Sequence, residues 1–562
     1  MNNRVALGIP LFICASLAAC GDDAAAPDAG ADIGVADAPI DVTPDVRIER
    51  DAALDAPDDA GADVPDAVAN VYFVDPGGDD TSEGNETSPL RTVAEAVRRV
   101  AARSHVLTPT IRLARGSYAH MGQLTLSDPV ILEGVSRDES TLQLELTRED
   151  AGVRVLAPNV TIRDLEISVY LAESLSDGIH EGGRGEYGTG ITLGEYLAVE
   201  QQVAVDGIVL ERLRISRPSM APAINYTAAA LTMVGRVQNV SVEDIDLLGN
   251  HSTALILHWG AHSTVAPAPG ALADPAYDVI ESYHPHSIVV RQVRVERSAR
   301  FLIISSSYDV EISGVEGATR EILFMLPGDE GDNFAVEGDR GRANSDITVT
   351  NIRASLSVGP NTHAIRLSSV GTSKVPATLG DKVRYSMRNI ELSDITVTEV
   401  TRRAGESFRY GINAGGMTGE NIVLRNIDLS DLASLDYEDP DRGVLPSYGL
   451  YMRETTGLRV SQLQSRGRYG IGIVDARDIL VEDSDFSYRA SDSTRASYGI
   501  FIRDGSEPEL SNDAIELRGL RVSDYESGIR YAGTDRCAEL TLEELTFTGT
   551  DAMSVEVNGA CL

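Results

Sequence analysis

The chain has 562 residues and a formal net charge of −38, with acids in excess on both sides of residue 70. A surface this acidic repels nucleic acid and anionic lipid, which excludes both as partners of the folded surface. A long polyanion could be met only through a bound cation such as calcium or a local arginine cluster, since Lys374 and Lys382 are the only lysines.

Residues 1–20 read as an export signal, with Arg4 as its positive start and residues 5–16 as an apolar core too short to span a bilayer. Leu17-Ala18-Ala19-Cys20 resembles the lipobox of bacterial lipoproteins. That resemblance implies cleavage before Cys20 and acyl chains on Cys20, several of which anchor a protein stably. Gly21 is compatible with outer-membrane sorting, so the expected location is exported and lipid-anchored, at the outer membrane or cell surface. Residues 21–70 hold fourteen acids and two arginines among Ala, Pro, Gly and Val. Such a segment cannot bury a core, and its charge and prolines predict a disordered, extended tether.

At residue 71 the composition changes. Val71-Tyr72-Phe73-Val74-Asp75-Pro76-Gly77-Gly78, followed by Ser88-Pro89-Leu90-Arg91-Thr92-Val93-Ala94-Glu95-Ala96-Val97, resembles the entry of right-handed parallel β-helix proteins of the pectate-lyase-like superfamily. There a strand and a Gly/Asp turn precede a short helix over the first coil. Thr110 to Tyr118 and Val130 to Gly134 fit the first coils of that family. The resemblance spans residues 71–562 and implies one all-β domain, a right-handed parallel β-helix (β-solenoid) with a short N-terminal capping helix. Physics asks for the same cover, because an open solenoid end exposes strand edge and apolar core.

The residues beyond support this independently. Asn159-Val160-Thr161-Ile162-Arg163-Asp164-Leu165-Glu166-Ile167, Asn239-Val240-Ser241-Val242-Glu243-Asp244-Ile245-Asp246-Leu247 and Asn421-Ile422-Val423-Leu424-Arg425-Asn426-Ile427-Asp428-Leu429 repeat one pattern. Further copies start near Gly207, Ser287, Asp346, Asn389, Gly457, Asp478, Ala514 and Glu539. Period-two alternation makes each copy a strand, and irregular spacing means coils with inserted loops, roughly 12 to 15 of them.

Five of the nine histidines, His251, His258, His262, His284 and His286, fall in one region with Trp259, the only tryptophan. Thr253 to His258 reads as a core strand entering a long insertion that returns at Tyr283-His284-Pro285-His286. Strand ends feeding long loops are where scaffolds place function. For a polysaccharide site, Trp259 would stack on a sugar face, with His262, His284, Arg291 and Arg294 as further contacts. His258, Tyr283 and His286 are the candidates for proton transfer. A metal at His258 and His262 would suit a helix, against the alternating strand before them. The plain alternative is a loop whose histidines hydrogen-bond neighbouring coils. Of the motifs used by polygalacturonase-like relatives, neither Gly-His-Gly nor Arg-x-Lys occurs, so enzymatic activity is left open.

Asp329, Glu330 and Asp332 form an acidic insertion able to hold calcium, although no defined calcium loop spacing is present and a solvated loop is the plainer reading. Tyr-Gly-[Ile/Leu] recurs at Tyr410, Tyr448, Tyr469 and Tyr498, which predicts a tyrosine stack. Its favoured role is structural, since a stack tied to the repeat should serve every coil; the alternative is an aromatic platform for sugar rings. Cys537 and Cys561 stand isolated from Cys14 and Cys20, and in an exported chain they are most simply a disulfide clamping the last coil, worth roughly 3 kcal/mol. The sequence therefore leads to a monomeric cell-surface lipoprotein whose solenoid contacts extracellular or envelope polysaccharide. The alternatives are a lyase or epimerase acting on a uronate-containing glycan, and a structural rod binding protein.

Overall fold

The computed structural model describes residues 70–105, 107–146, 151–171, 189–195, 203–217, 229–258, 284–326, 344–357, 362–368, 386–401, 408–432, 437–439, 443–488, 496–503, 512–532, 540–549 and 556–557. Within them the expected architecture is present: a right-handed parallel β-helix in which each coil contributes a first, a second and a third strand. Each strand pairs in parallel with its counterpart one coil away. In the first ladder, fourteen such pairings link fifteen strands, from Val71–Val74 to Leu540–Glu543. The exceptions to parallel pairing among the described residues are a small hairpin, Tyr437–Asp439 with Gly443–Leu445, and an isolated bridge between Asn85 and Ser88.

The recurring motif has a backbone cause. From the coil of Asn159 to that of Ala514, the first strand is bracketed by two residues of left-handed backbone five positions apart, as at Asn159 and Asp164, Asn239 and Asp244, Asn389 and Asp394, and Asn421 and Asn426. That conformation crowds a side chain against the following carbonyl, and Asn and Asp enter it more readily than others because their short polar groups bond locally. Between the two bends, alternate residues face inward, so Val240 and Val242 are buried, and the second bend turns Ile245 and Leu247 inward on the next strand. At roughly 1.5–3 kcal/mol for each fully buried aliphatic side chain, these residues hold every coil to its neighbours.

The expected helix spans Val93–Ala101 and buries Val93, Ala96 and Val100 over the first coil. Thr92 caps it by accepting the Glu95 N–H at 3.2 Å, and Asp80 in turn accepts the backbone N–H groups of Arg91 and Thr92, each at 2.9 Å.

Spacing between the two bends never varies, whereas the connections into and out of third strands do. One coil passes from Asn413 to Thr418, another from His258 to His286; one enters its third strand between Arg466 and Tyr469, another between Leu171 and Ile191. The connections of variable length therefore begin or end at third strands.

Candidate functional site on the third face

Outward positions of the third strands form columns that the register defines. One column runs Thr253, Arg300, Glu321, and continues His363, Tyr410, Tyr448, Tyr469, Tyr498 and Ser527. The rings meet along the coil. His363 stacks on Tyr410 with centroids 4.9 Å apart and planes 17° from parallel. Tyr410 to Tyr448 is 5.6 Å, Tyr448 to Tyr469 5.1 Å and Tyr469 to Tyr498 5.3 Å. Tyr451 and Phe501, from the neighbouring column, close against them at 4.6 Å from Tyr448 and 5.0 Å from Tyr469. Burial pushes the Tyr448 and Tyr451 phenols up, out of reach of ionisation at neutral pH.

The glycine of the motif is required by the corner beside each tyrosine. A Cβ on Gly470 would stand 2.5 Å from the Gly499 carbonyl oxygen and 2.9 Å from Phe486 Cβ. The structure thus contains the expected tyrosine stack but limits it to consecutive coils, with Thr253, Arg300, Glu321 and Ser527 at the same position elsewhere. A ladder needed by the coil as such would serve all of them, so the premise that favoured a purely structural role does not hold.

Next to the stack lies a group of cations that sequence reasoning missed. The Arg366 and Arg300 guanidiniums sit over the Phe324 ring at 4.6 and 5.2 Å, and that of Arg409 over Tyr410 at 4.9 Å. Glu321 pairs with Arg300. The signal for His363 was present, because His363-Ala364-Ile365 occupies the register of Tyr410-Gly411-Ile412, with His for Tyr and Ala for Gly.

The other expected site residues fall as follows. His258 ends the strand Val237–His258 on this same third face, half-buried and opposite Val234. Trp259, His262 and Tyr283 lie outside the described residues, and so do Asp329, Glu330, Asp332, Cys20, Cys537 and Cys561. His284 is buried with its Nδ1 2.8 Å from the Ser306 carbonyl of the next coil. His286 sets Nδ1 against the His284 carbonyl at 2.8 Å and stacks on Tyr308 at 4.5 Å. Arg291 and Arg294 project from the first and second strands: Arg291 reaches Glu311 at 2.9 Å, and Arg294 pairs with Asp244 and Asp246. The structure therefore brings His284 and His286 together and leaves Arg291 and Arg294 on other faces than His258. His251 is buried, and burial followed by the Arg217 charge pulls its imidazole down to about 3.

No family model matches the chain, and no curated protein matches it. Among solved structures, the chain is similar to the A-module of the Azotobacter vinelandii mannuronan C-5 epimerase AlgE6, at 13% identity over 82% of this chain and 93% of that one, with a TM-score of 0.32. It is also similar to an N-terminal fragment of the bacteriophage phi29 gene product 12, at 9% identity over 81% and 69% and a TM-score of 0.44. A GH87 α-1,3-glucanase catalytic domain in complex with nigerose gives 12% identity over 89% and 70%, with a TM-score of 0.37.

Proposed function

We propose that the third face of the coil binds a carbohydrate chain, and that the protein works outside the cell, held at the outer membrane by acyl chains on Cys20. The observation that carries the reading is the run of stacked aromatic side chains confined to consecutive coils on the third face, whose strands are the ones flanked by connections of variable length. Tyrosine offers an apolar face with a polar edge, which suits a sugar ring, and binding sites pair such surfaces with a few polar groups. Trp259 follows directly in sequence on His258, the last residue of a third-face strand. A disulfide between Cys537 and Cys561 fits an exported chain. The binding test is a carbohydrate array probed with the full chain and with Tyr469→Ala: bound glycans should lose at least tenfold in affinity with the variant, and unchanged binding would refute the platform.

A second reading has one observation in its favour, the position of His258 at the end of a third-face strand. In it, His258, Tyr283 and His286 transfer protons in a lyase or epimerase acting on a uronate. The rise in ultraviolet absorbance of an unsaturated uronate, abolished by His258→Ala, would separate a lyase from a binding protein.

A further inference from the structure

The cations beside the tyrosine stack come from three of four successive coils, the other supplying Phe324 between Arg300 and Arg366, and they act on one histidine. Asn413 fixes the state of that histidine. Its Oδ1 accepts the Gly415 N–H at 2.9 Å, which leaves its amide Nδ2 facing His363 Nδ1 at 3.1 Å. An amide donates there, so Nδ1 is the acceptor and the imidazole proton is on Nε2. The ring is neutral, and its surroundings agree: burial, then the charges of Arg366, Arg409 and Arg300, hold it well below the usual histidine range. Arg300 and Arg366 lie on opposite coils about the Phe324 ring, and Arg409 lies over the ring that stacks on His363. Glu321 is the carboxylate paired with Arg300.

We infer that Arg300, Arg366 and Arg409, grouped around His363, form an anion subsite on the third face, and that the carbohydrate bound there carries a carboxylate or a sulfate ester. The inference rests on the carbohydrate reading and narrows it to an acidic glycan. Guanidinium planes match both anions with paired N–H donors, and charge-assisted bonds of this kind are about twice as strong as neutral ones. The location is also informative: in a chain of net charge −38, bulk electrostatics favours a neutral ligand, so a preference for an acidic one must come from a local group such as this.

The test uses matched probes that differ in charge: oligogalacturonide against its methyl ester for carboxylate, and dextran sulfate against dextran for sulfate. Each is titrated into the full chain and into Arg366→Gln, Arg409→Gln and Arg366→Lys, with far-ultraviolet circular dichroism to establish that each variant is folded. The expected result is a preference of about tenfold or more for the acidic member of at least one pair, consistent with charge-assisted bonding. That preference should collapse toward one in either glutamine variant and be partly restored by Arg366→Lys; the pair showing it identifies the anion. Equal affinity for acidic and neutral members in the wild type would overturn this inference while leaving the platform standing. So would an acidic preference that survives both glutamine variants. No binding of any probe would overturn the carbohydrate reading, and this inference with it.

Discussion

Asn421 donates its side-chain amide to Asn389 Oδ1 one coil earlier at 3.0 Å, and both residues hold left-handed backbone. Asn389 likewise donates to Asp346 at 2.7 Å; where Gly207 takes the bend, Asn239 donates instead to the preceding Asp206 at 2.7 Å. The bends of successive coils are thus tied side chain to side chain along the solenoid, which explains why the repeat begins on Asn or Asp so often.

Ala514 occupies this bend in the coil after Asp478, with φ of 48° and no polar group to bond locally. Ala514→Asn should therefore stabilise the protein by up to about 1 kcal/mol, by relieving left-handed strain and offering an amide to Asp478. Asn421→Ala should destabilise it by about 1–2 kcal/mol. Urea unfolding midpoints at constant slope are the check, and opposite signs for the two substitutions are the diagnostic feature.

The ion pairs between coils should divide by burial. Glu133 is 7% exposed and accepts both Arg112 and Arg163, each at 2.7 Å; burial alone would raise its pKa, but the two guanidiniums outweigh this and hold it below the usual carboxylate range. Glu133→Gln should cost about 1–3 kcal/mol. The exposed Glu391, paired with Arg425, should cost below about 1 kcal/mol as Glu391→Gln, and nothing measurable in high salt.

His251 gives the fold an acid sensitivity above the carboxylate range. Its folded-state pKa is lowered to about 3, so the unfolded chain binds a proton more readily. Stability is present above the unfolded value of about 6.5 and is lost as pH falls toward 3. His363, shifted in the same direction, adds to the loss. From His251 alone, stability at pH 5 should be about 2 kcal/mol lower than at pH 7. In His251→Asn that slope should shrink by a corresponding amount, whatever the variant costs at pH 7.

The tyrosine stack contributes to stability as well as offering a surface. Tyr448→Ala removes ring contacts to Tyr410, Tyr451 and Tyr469 and should cost about 2–4 kcal/mol. Tyr448→Phe keeps the rings and should stay within about 0.5 kcal/mol of the wild type. Thermal or urea unfolding of the two variants side by side checks the pair.

These contrasts also mark what the sequence could reveal. First strands are legible because two left-handed bends at fixed spacing impose Asn, Asp or Gly around alternating aliphatics, a signature local to ten residues. Val93 to Val100 is legible for the same kind of reason, a capped amphipathic turn beside a Gly/Asp turn. Third strands carry no such pair of bends at fixed spacing, only a single left-handed residue at their ends, as at Gly235, Ser306, Glu454 and Asp475, so only Tyr-Gly-Ile and the apolar run from Thr253 to His258 betrayed them. The arginines of the third face stayed hidden because Arg300, Arg366 and Arg409 are distant in sequence and meet only through the register of stacked coils. Trp259 drew attention by its rarity, and His258 before it does end a third-face strand. Arg291 and Arg294, three residues apart, are separated from it because they stand on the first and second strands, on either side of the bend at Gln292.

Hydroxyl-radical footprinting of the full chain, with and without the tightest glycan from the array, tests the central claim most directly. Oxidation of the partly exposed Tyr448, Tyr451, Tyr469 and Phe501 should fall several-fold on binding, while Met121, exposed near the first coils, and Tyr308, on the first-strand face, should be unaffected. Protection of Tyr308 or Met121 with the third-face aromatics unchanged would place any glycan elsewhere and contradict the account.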